Sequence, residues 1–182
     1  GKTRLRHLQP WIDEWAHEEM YAGVEGCGAQ DAAYTTAIRV ENCRLKGRNF
    51  TGGAADIYKC FDQIMRPLVE QILKKAGMPK GVLHAYTTFL DDLKVRNTIA
   101  GGLGKPYTRP ASIPQGDPLS MVIVALMMRP WILQMETMGV TARVLADDLQ
   151  LTAEDGVDGA ECWPGEGFTQ AKDRRRSNHL AA

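Results

Sequence analysis

Two adjacent acids, Asp147 and Asp148, sit between the short apolar runs Val144-Leu145-Ala146 and Leu149-Gln150-Leu151. Like charges side by side repel and gain nothing from packing, so the pair either turns freely in water or serves a bound cation. Taken alone it reads as a solvated hairpin turn, for which Asp is well suited. A second acid-bearing segment, Asp56-Ile57-Tyr58-Lys59-Cys60-Phe61-Asp62, moves the balance toward the cation. Asp56 closes a short apolar strand, and an Asp at a strand end meets an Asp at a hairpin tip where the strands are neighbours. Carboxylates placed in that way would hold two hard divalent ions about 3.5–4 Å apart, the arrangement for in-line phosphoryl or nucleotidyl transfer. Asp62, where the strand gives way to a helix, reads as a helix cap. The third feature is Ser112-Ile113-Pro114-Gln115-Gly116-Asp117-Pro118-Leu119-Ser120. Gly116 lets backbone approach a ligand closely, the helix that follows turns its first amides toward an anion, and Gln115 both donates and accepts. The same segment also reads as a Pro-rich loop leading into a buried helix.

These residues need elements to hold them. Helical spacing of Leu5, Leu8, Ile12 and Trp15 predicts a helix over 5–20, broken by Gly23, Gly26 and Gly28. Asp31 would cap a second helix reaching Lys46, with Ala37, Ile38 and Leu45 inward and Gly47 ending it. Gly52-Gly53 precedes a buried strand over 54–57. Pro67 opens a helix whose apolar face is Leu68, Val69, Ile72 and Leu73, with Gly77 as its C-terminal cap. A further amphipathic helix spans 81–93, a strand 94–99, a glycine-rich tip 101–104, a loop 110–118 and a mostly buried helix 119–138. Strands over 140–145 and 149–152 flank the Asp147-Asp148 turn. Helices and strands mix without strict alternation, so the expected class is α+β rather than a doubly wound parallel sheet.

The chain has 182 residues, 44% hydrophobic and 24% charged, with 22 basic and 22 acidic residues. That is one domain's worth and enough to bury a core, and it argues against intrinsic disorder. The longest apolar run, Met121 to Met128, is too short to span a bilayer, and no apolar signal-peptide core follows Gly1, so no membrane is expected. Cys27, Cys43, Cys60 and Cys162 make no zinc spacing with the histidines and read as free thiols of a reducing compartment. Neutrality excludes binding nucleic acid by bulk positive charge, but the balance is local: 94–109 carries Lys94, Arg96, Lys105 and Arg109 with no acid, and 146–162 carries six acids with no base.

In this order, Asp56 to Asp62 resembles the first palm motif of reverse transcriptases, Asp-x-x-x-x-Phe/Tyr, in the form found in non-LTR retrotransposons. Pro114 to Ser120 looks like their second motif, nearly unmodified, and Ala146-Asp147-Asp148 looks like the third. More loosely, Tyr21-Ala22-Gly23 through Gln30-Asp31-Ala32 resembles the fingers segment. The resemblance covers about Leu5 to Thr152. It implies a right-hand polymerase palm, a small antiparallel sheet backed by helices, over 53–155, with partial fingers over 1–52, an irregular tail over 156–182 and the thumb missing. It implies an RNA-directed DNA polymerase that joins deoxynucleoside triphosphates to a DNA primer on an RNA template, with two Mg²⁺ or Mn²⁺ ions. Asp56, Asp147 and Asp148 would be catalytic and metal-binding, Phe61 would reject a ribose 2′-hydroxyl, and Gln115 and Gly116 would line the nucleotide pocket. Arg96, Lys105 and Arg109 would face nucleic-acid phosphates, unless they form an ordinary solvated surface. A retrotransposon polymerase would be intracellular and reach the nucleus. A viral RNA-dependent RNA polymerase would carry Gly-Asp-Asp and a Ser-Gly second motif instead. Leu145 replaces the family's usual aromatic, and Val24, Glu25, Cys27 and Ala29 stand where its fingers arginines fall. These departures support the alternative of a catalytically inactive retroelement remnant that folds, or binds nucleic acid, without polymerising.

Overall fold

Strand register places the acids, so the sheet comes first. The computed structural model describes residues 2–154, with side chains from Leu5 onward. Three antiparallel strands form the central sheet in the order β1 (Phe50–Asp56), β5 (Asp148–Glu154), β4 (Thr141–Leu145). The segment Glu19–Tyr21 extends it past β4. Tyr21 N–H donates to the Val144 carbonyl at 2.8 Å, and Val144 N–H to the Glu19 carbonyl at 3.0 Å.

Paired residues share a face and alternate along each strand. One face therefore presents the rows Val144–Leu149–Ala55 and Ala142–Leu151–Gly53. Of these, Val144, Leu149, Ala142 and Leu151 are buried, and helix α6 (Pro118–Thr137) packs across β4 there. The apolar α6 contributes Val122, Ile123, Val124, Ala125 and Ile132 to the same core. By length and composition it is the one helix among the described residues that could cross a membrane, and its burial in this core accounts for that composition. Helix α1 (Lys2–Trp15) lies against α6 through Leu8, Trp11, Ile12 and Trp15. Arg129 Nε donates to the Trp15 carbonyl at 2.8 Å, satisfying an acceptor at the helix end. Between β1 and α6 run α3 (Cys60–Gln63), α4 (Arg66–Lys75) and α5 (Lys80–Asp92), with Val69, Leu73, Tyr86 and Leu90 turned inward. A hairpin of β2 (Thr98–Ile99) and β3 (Gly102–Leu103) precedes the loop into α6.

The other face is polar: Arg143–Gln150–Ala54, Thr141–Thr152–Gly52 and, at its open end, Leu145–Asp148–Asp56. Helix α2 (Ala29–Leu45) covers its closed end. The Thr36 hydroxyl meets Gln150 at 2.9 Å, and Arg39 Nη1 donates to Thr141 Oγ1 at 2.7 Å. This corrects the inward face expected for α2. Ile38 and Leu45 are 49% and 79% exposed, and Cys43 is buried instead. A helix over a polar sheet face turns hydroxyl and guanidinium groups inward, so its apolar residues do not mark the buried side. Asp31 does cap this helix, but from its third position: Gly28 is the N-cap, and its N–H donates to Asp31 Oδ2 at 2.9 Å.

Other boundaries also move. Helix α1 stops at Trp15, because Glu19–Tyr21 is drawn into the sheet. Strand β1 begins at Phe50 and takes in Gly52 and Gly53, which pair with Thr152 and Leu151. The strand expected over 94–99 is regular only at Thr98–Ile99, with an isolated bridge from Val95 to Tyr107. The helices expected from Pro67 and from Gly81, and the buried helix after Pro118, are present. The tail expected over 156–182 lies outside the described residues.

Candidate functional site

The β4–β5 connection is shorter than the sequence suggests. Leu145 pairs with Asp148, so the turn is Ala146-Asp147 and Asp148 already belongs to β5. Ala146 takes a left-handed φ of +58, a conformation rarely found in alanine outside tight turns. The turn is fastened to the next strand, since Ile57 N–H donates to the Asp147 carbonyl at 3.0 Å. Asp56 stands opposite Asp148 in the antiparallel register, so these two carboxyl-bearing residues share the open, polar face. Both are exposed, while Asp147 is half-buried.

Burial pushes the Cys60 thiol pKa up, and the charges of Asp147 and then Asp56 push it further. Asp56 and Asp147 thus both lie within electrostatic reach of the Cys60 sulfur. Among the described residues no group of three or more His, Cys, Asp or Glu side chains is placed to hold a metal ion, so Asp56, Asp147 and Asp148 do not form such a group. The register sets Asp56 opposite Asp148, with Asp147 in the adjoining turn. That donor set suits a hard cation such as Mg²⁺, which commonly takes one or two carboxylates and completes its shell with water and substrate phosphates.

The segment before α6 is brought to the same region. Ser112 N–H donates to the Ile64 carbonyl at 2.9 Å and Ile113 N–H to the Phe61 carbonyl at 3.0 Å, so this segment runs along α3. Phe61 is half-buried and packs on the core, as an ordinary core aromatic also would. Gln115 and Gly116 form an exposed turn closed by Asp117 N–H on the Pro114 carbonyl at 3.4 Å. Gly116 has φ +86, the value that favours glycine at the third position of a type II turn. Behind it, the Tyr86 hydroxyl lies 3.5 Å from Ser120 Oγ. Its pKa is pushed up to about 12, chiefly by burial, with Asp117 adding to the rise, so it stays protonated.

Asp62 is not a cap. Lys59 occupies the N-cap of α3, and Asp62 Oδ1 accepts from Arg109 Nη1 at 2.9 Å and from Ser112 Oγ at 3.4 Å. Arg109 also stacks on Tyr107 and donates to its hydroxyl at 3.3 Å. Its pKa rises, first through Tyr107 and then through Asp62. Of the three cations assigned to phosphates, Arg109 therefore has an internal anion, Arg96 is exposed and meets the Gly104 carbonyl at 3.5 Å, and Lys105 is exposed.

Sequence reasoning missed the most buried charges. Arg143 and Glu19 are 2% and 5% exposed, and Arg143 Nε lies 3.0 Å from Glu19 Oε2 as an ion-pair contact without hydrogen-bond alignment. Glu19 also accepts from Tyr21 Oη at 3.3 Å and from Arg39 Nη2 at 3.3 Å, and Arg143 Nη1 donates to Thr152 Oγ1 at 3.2 Å. The signal was the alternation in Thr141-Ala142-Arg143-Val144, which puts Arg143 on the polar face beside Gln150. Gly23 is a second missed constraint. At φ +77, a Cβ there would fall 2.6 Å from the Met121 carbonyl oxygen, so this glycine lets the chain cross the start of α6.

No known family profile matches the chain, and no curated protein matches it. Among solved structures it is similar to a partial Cas6-RT-Cas1–Cas2 complex at 21% identity and a TM-score of 0.34, over 71% of this chain and 21% of that one. It is similar to the Cas6-RT-Cas1–Cas2 complex at the same identity and TM-score, over 71% of this chain and 13% of that one. The chain thus spans 21% and 13% of the length of these two proteins.

Proposed function

We propose that this chain is the palm, with part of the fingers, of an RNA-directed DNA polymerase of the non-LTR retrotransposon kind. The observation that supports it most is the register of Asp56 against Asp148, at the end of a hairpin whose turn residue is Asp147. The register supports the reading by bringing Asp56 beside the Asp147-Asp148 turn, and the bond from Ile113 N–H to the Phe61 carbonyl runs the segment before the second motif along α3.

In this reading Asp56 and Asp147, with Asp148 beside them, hold Mg²⁺ or Mn²⁺. Two such ions, when bound, would favour the deprotonated form of the attacking hydroxyl and neutralise charge on the departing phosphate. The primer 3′-oxygen forms a bond to the α-phosphorus of a deoxynucleoside triphosphate while the bridging bond to the β-phosphate breaks, releasing pyrophosphate. The chain's own work is to position and exclude. The hydrogen-bonded sheet holds the carboxylates in place. Phe61 packs under the sugar and crowds a ribose 2′-hydroxyl. Gln115 and the exposed backbone of Gly116 contact the nucleotide and the template base. The partners are an RNA template, a DNA primer and deoxynucleoside triphosphates, and a nuclear location belongs to the same reading.

One observation favours a second reading. Leu145 shares the row of Asp148 and Asp56, where the resemblance has an aromatic packing near the primer end. A retroelement remnant that binds nucleic acid without polymerising would tolerate leucine there. Primer extension on an RNA template with Mg²⁺ separates the two. Extension by the wild type, lost in Asp56→Asn while the thermal midpoint is kept, is the outcome expected of the polymerase. Binding of the template–primer without extension would replace it with the remnant.

A further inference from the structure

Residues 94–109 form an arm unlike the rest of the molecule. Its strands hold two residues each, Thr98–Ile99 and Gly102–Leu103, joined through Ala100 and Gly101 at φ +48 and +81. Such a turn matches the twist of a tight hairpin and gives the arm a defined shape without a core. Further bonds continue the ladder toward its root: Gly104 N–H to the Asn97 carbonyl at 2.9 Å, and Val95 and Tyr107 exchanging N–H to carbonyl bonds at 2.9 Å each. At the root, Arg109 pairs with Asp62, six residues beyond Asp56, and with the Tyr107 ring. The arm is thereby fastened beside the strand that carries the catalytic-site acid.

Its tip is apolar and unsupported. Ile99 and Leu103 are 77% and 72% exposed. They occupy successive register pairs, Ile99 with Gly102 and Leu103 with Thr98, so they lie on opposite faces of the ribbon. A patch for a flat partner would gather its apolar residues on one face. Apolar groups on both faces of a thin ribbon suit a wedge, covered on each side by a stacked surface. The flanks carry Lys94, Arg96, Lys105 and Arg109 and no acid. Positive flanks around an apolar wedge complement the phosphates and stacked bases of a duplex.

We propose that this arm engages the RNA–DNA duplex, with Arg96 and Lys105 on phosphates and Ile99 and Leu103 inserted against a base step. The inference rests on the polymerase reading for its choice of duplex. It adds a strand-distorting element, separate from the acids, that holds the template–primer and unstacks it locally.

The test uses the whole chain with a fluorescent RNA–DNA hybrid carrying 2-aminopurine, in EDTA, so that metal binding and catalysis play no part. Fluorescence anisotropy is followed as salt is raised. The residues are exposed, and thermal denaturation checks that each variant is folded. Arg96→Gln/Lys105→Gln should flatten the plot of log affinity against log salt by roughly two, one for each phosphate left without its cation. Ile99→Ser/Leu103→Ser should keep the wild-type slope, bind about tenfold more weakly, as expected when an apolar wedge is removed, and abolish the 2-aminopurine rise seen with wild type. Failure of wild type to bind the hybrid, or identical behaviour of all three proteins, overturns the proposal. So does wild type pelleting with phosphatidylserine vesicles in a manner abolished in the tip variant while hybrid binding is unchanged, which would make the arm a membrane element. Failure of the polymerase reading shows separately, as absence of primer extension alongside intact arm-dependent binding.

Discussion

The two hairpins of this chain turn on the same device and have opposite fates. Each reverses through an alanine at positive φ, Ala146 in one and Ala100 in the other. The β4–β5 hairpin lies between β1 and the Glu19–Tyr21 segment, rests on α6, and carries acids at its tip. Among the described residues the β2–β3 hairpin pairs only with itself, and it carries bases along its flanks. Charge at the tip of a braced hairpin is held in place, which suits metal binding and catalysis. Charge along an unbraced one is free to follow a partner. The anchoring ion pairs differ in the same sense: Arg143–Glu19 is buried beneath the first, whereas Arg109–Asp62 is well exposed at the root of the second.

Stability measurements can break that contrast. Arg143→Ala leaves Glu19 buried without its nearest cation and should cost about 3–5 kcal/mol in urea denaturation, as for other broken buried pairs. Arg109→Ala in the same assay should leave the midpoint close to wild type, because water screens an exposed pair. Equal losses would mean that both hairpins are braced alike. An intermediate effect is expected where the braced hairpin's neighbouring segment crosses α6. Gly23→Ala forces both a left-handed φ and a clash with the Met121 carbonyl. It should cost about 1–3 kcal/mol by the same measurement. A neutral result would mean that the crossing can open without disturbing the Glu19–Tyr21 bridge.

How much of this the sequence discloses depends on which force set each feature. Helices α4, α5 and α6 are legible because packing on a shared core imposes their apolar spacing, and Pro67 and Pro118 mark their starts. The meeting of Asp56 with the Asp147-Asp148 pair is legible only through three motifs taken together, since register is a long-range property that no single segment encodes. Helix α2 misleads: Ile38 and Leu45 are apolar yet exposed, because the sheet face it covers is built from Thr141, Arg143, Gln150 and Thr152. The Arg143–Glu19 pair is hidden for the same reason, its two charges lying far apart in sequence and neutralising each other only in the fold. Asp62 looks like a cap because strand-to-helix junctions favour one, and its partner Arg109 arrives from the far side of the arm.

In the proposed function Asp56 and Asp147 share a divalent ion. The most direct measurement is Mn²⁺ titration followed by electron paramagnetic resonance, on the wild-type chain and on Asp147→Asn, with a deoxynucleoside triphosphate and a template–primer present and a protein-free control. Saturable binding beyond the control by the wild type, abolished in the variant, is the expected result. The same binding in both proteins would contradict the account.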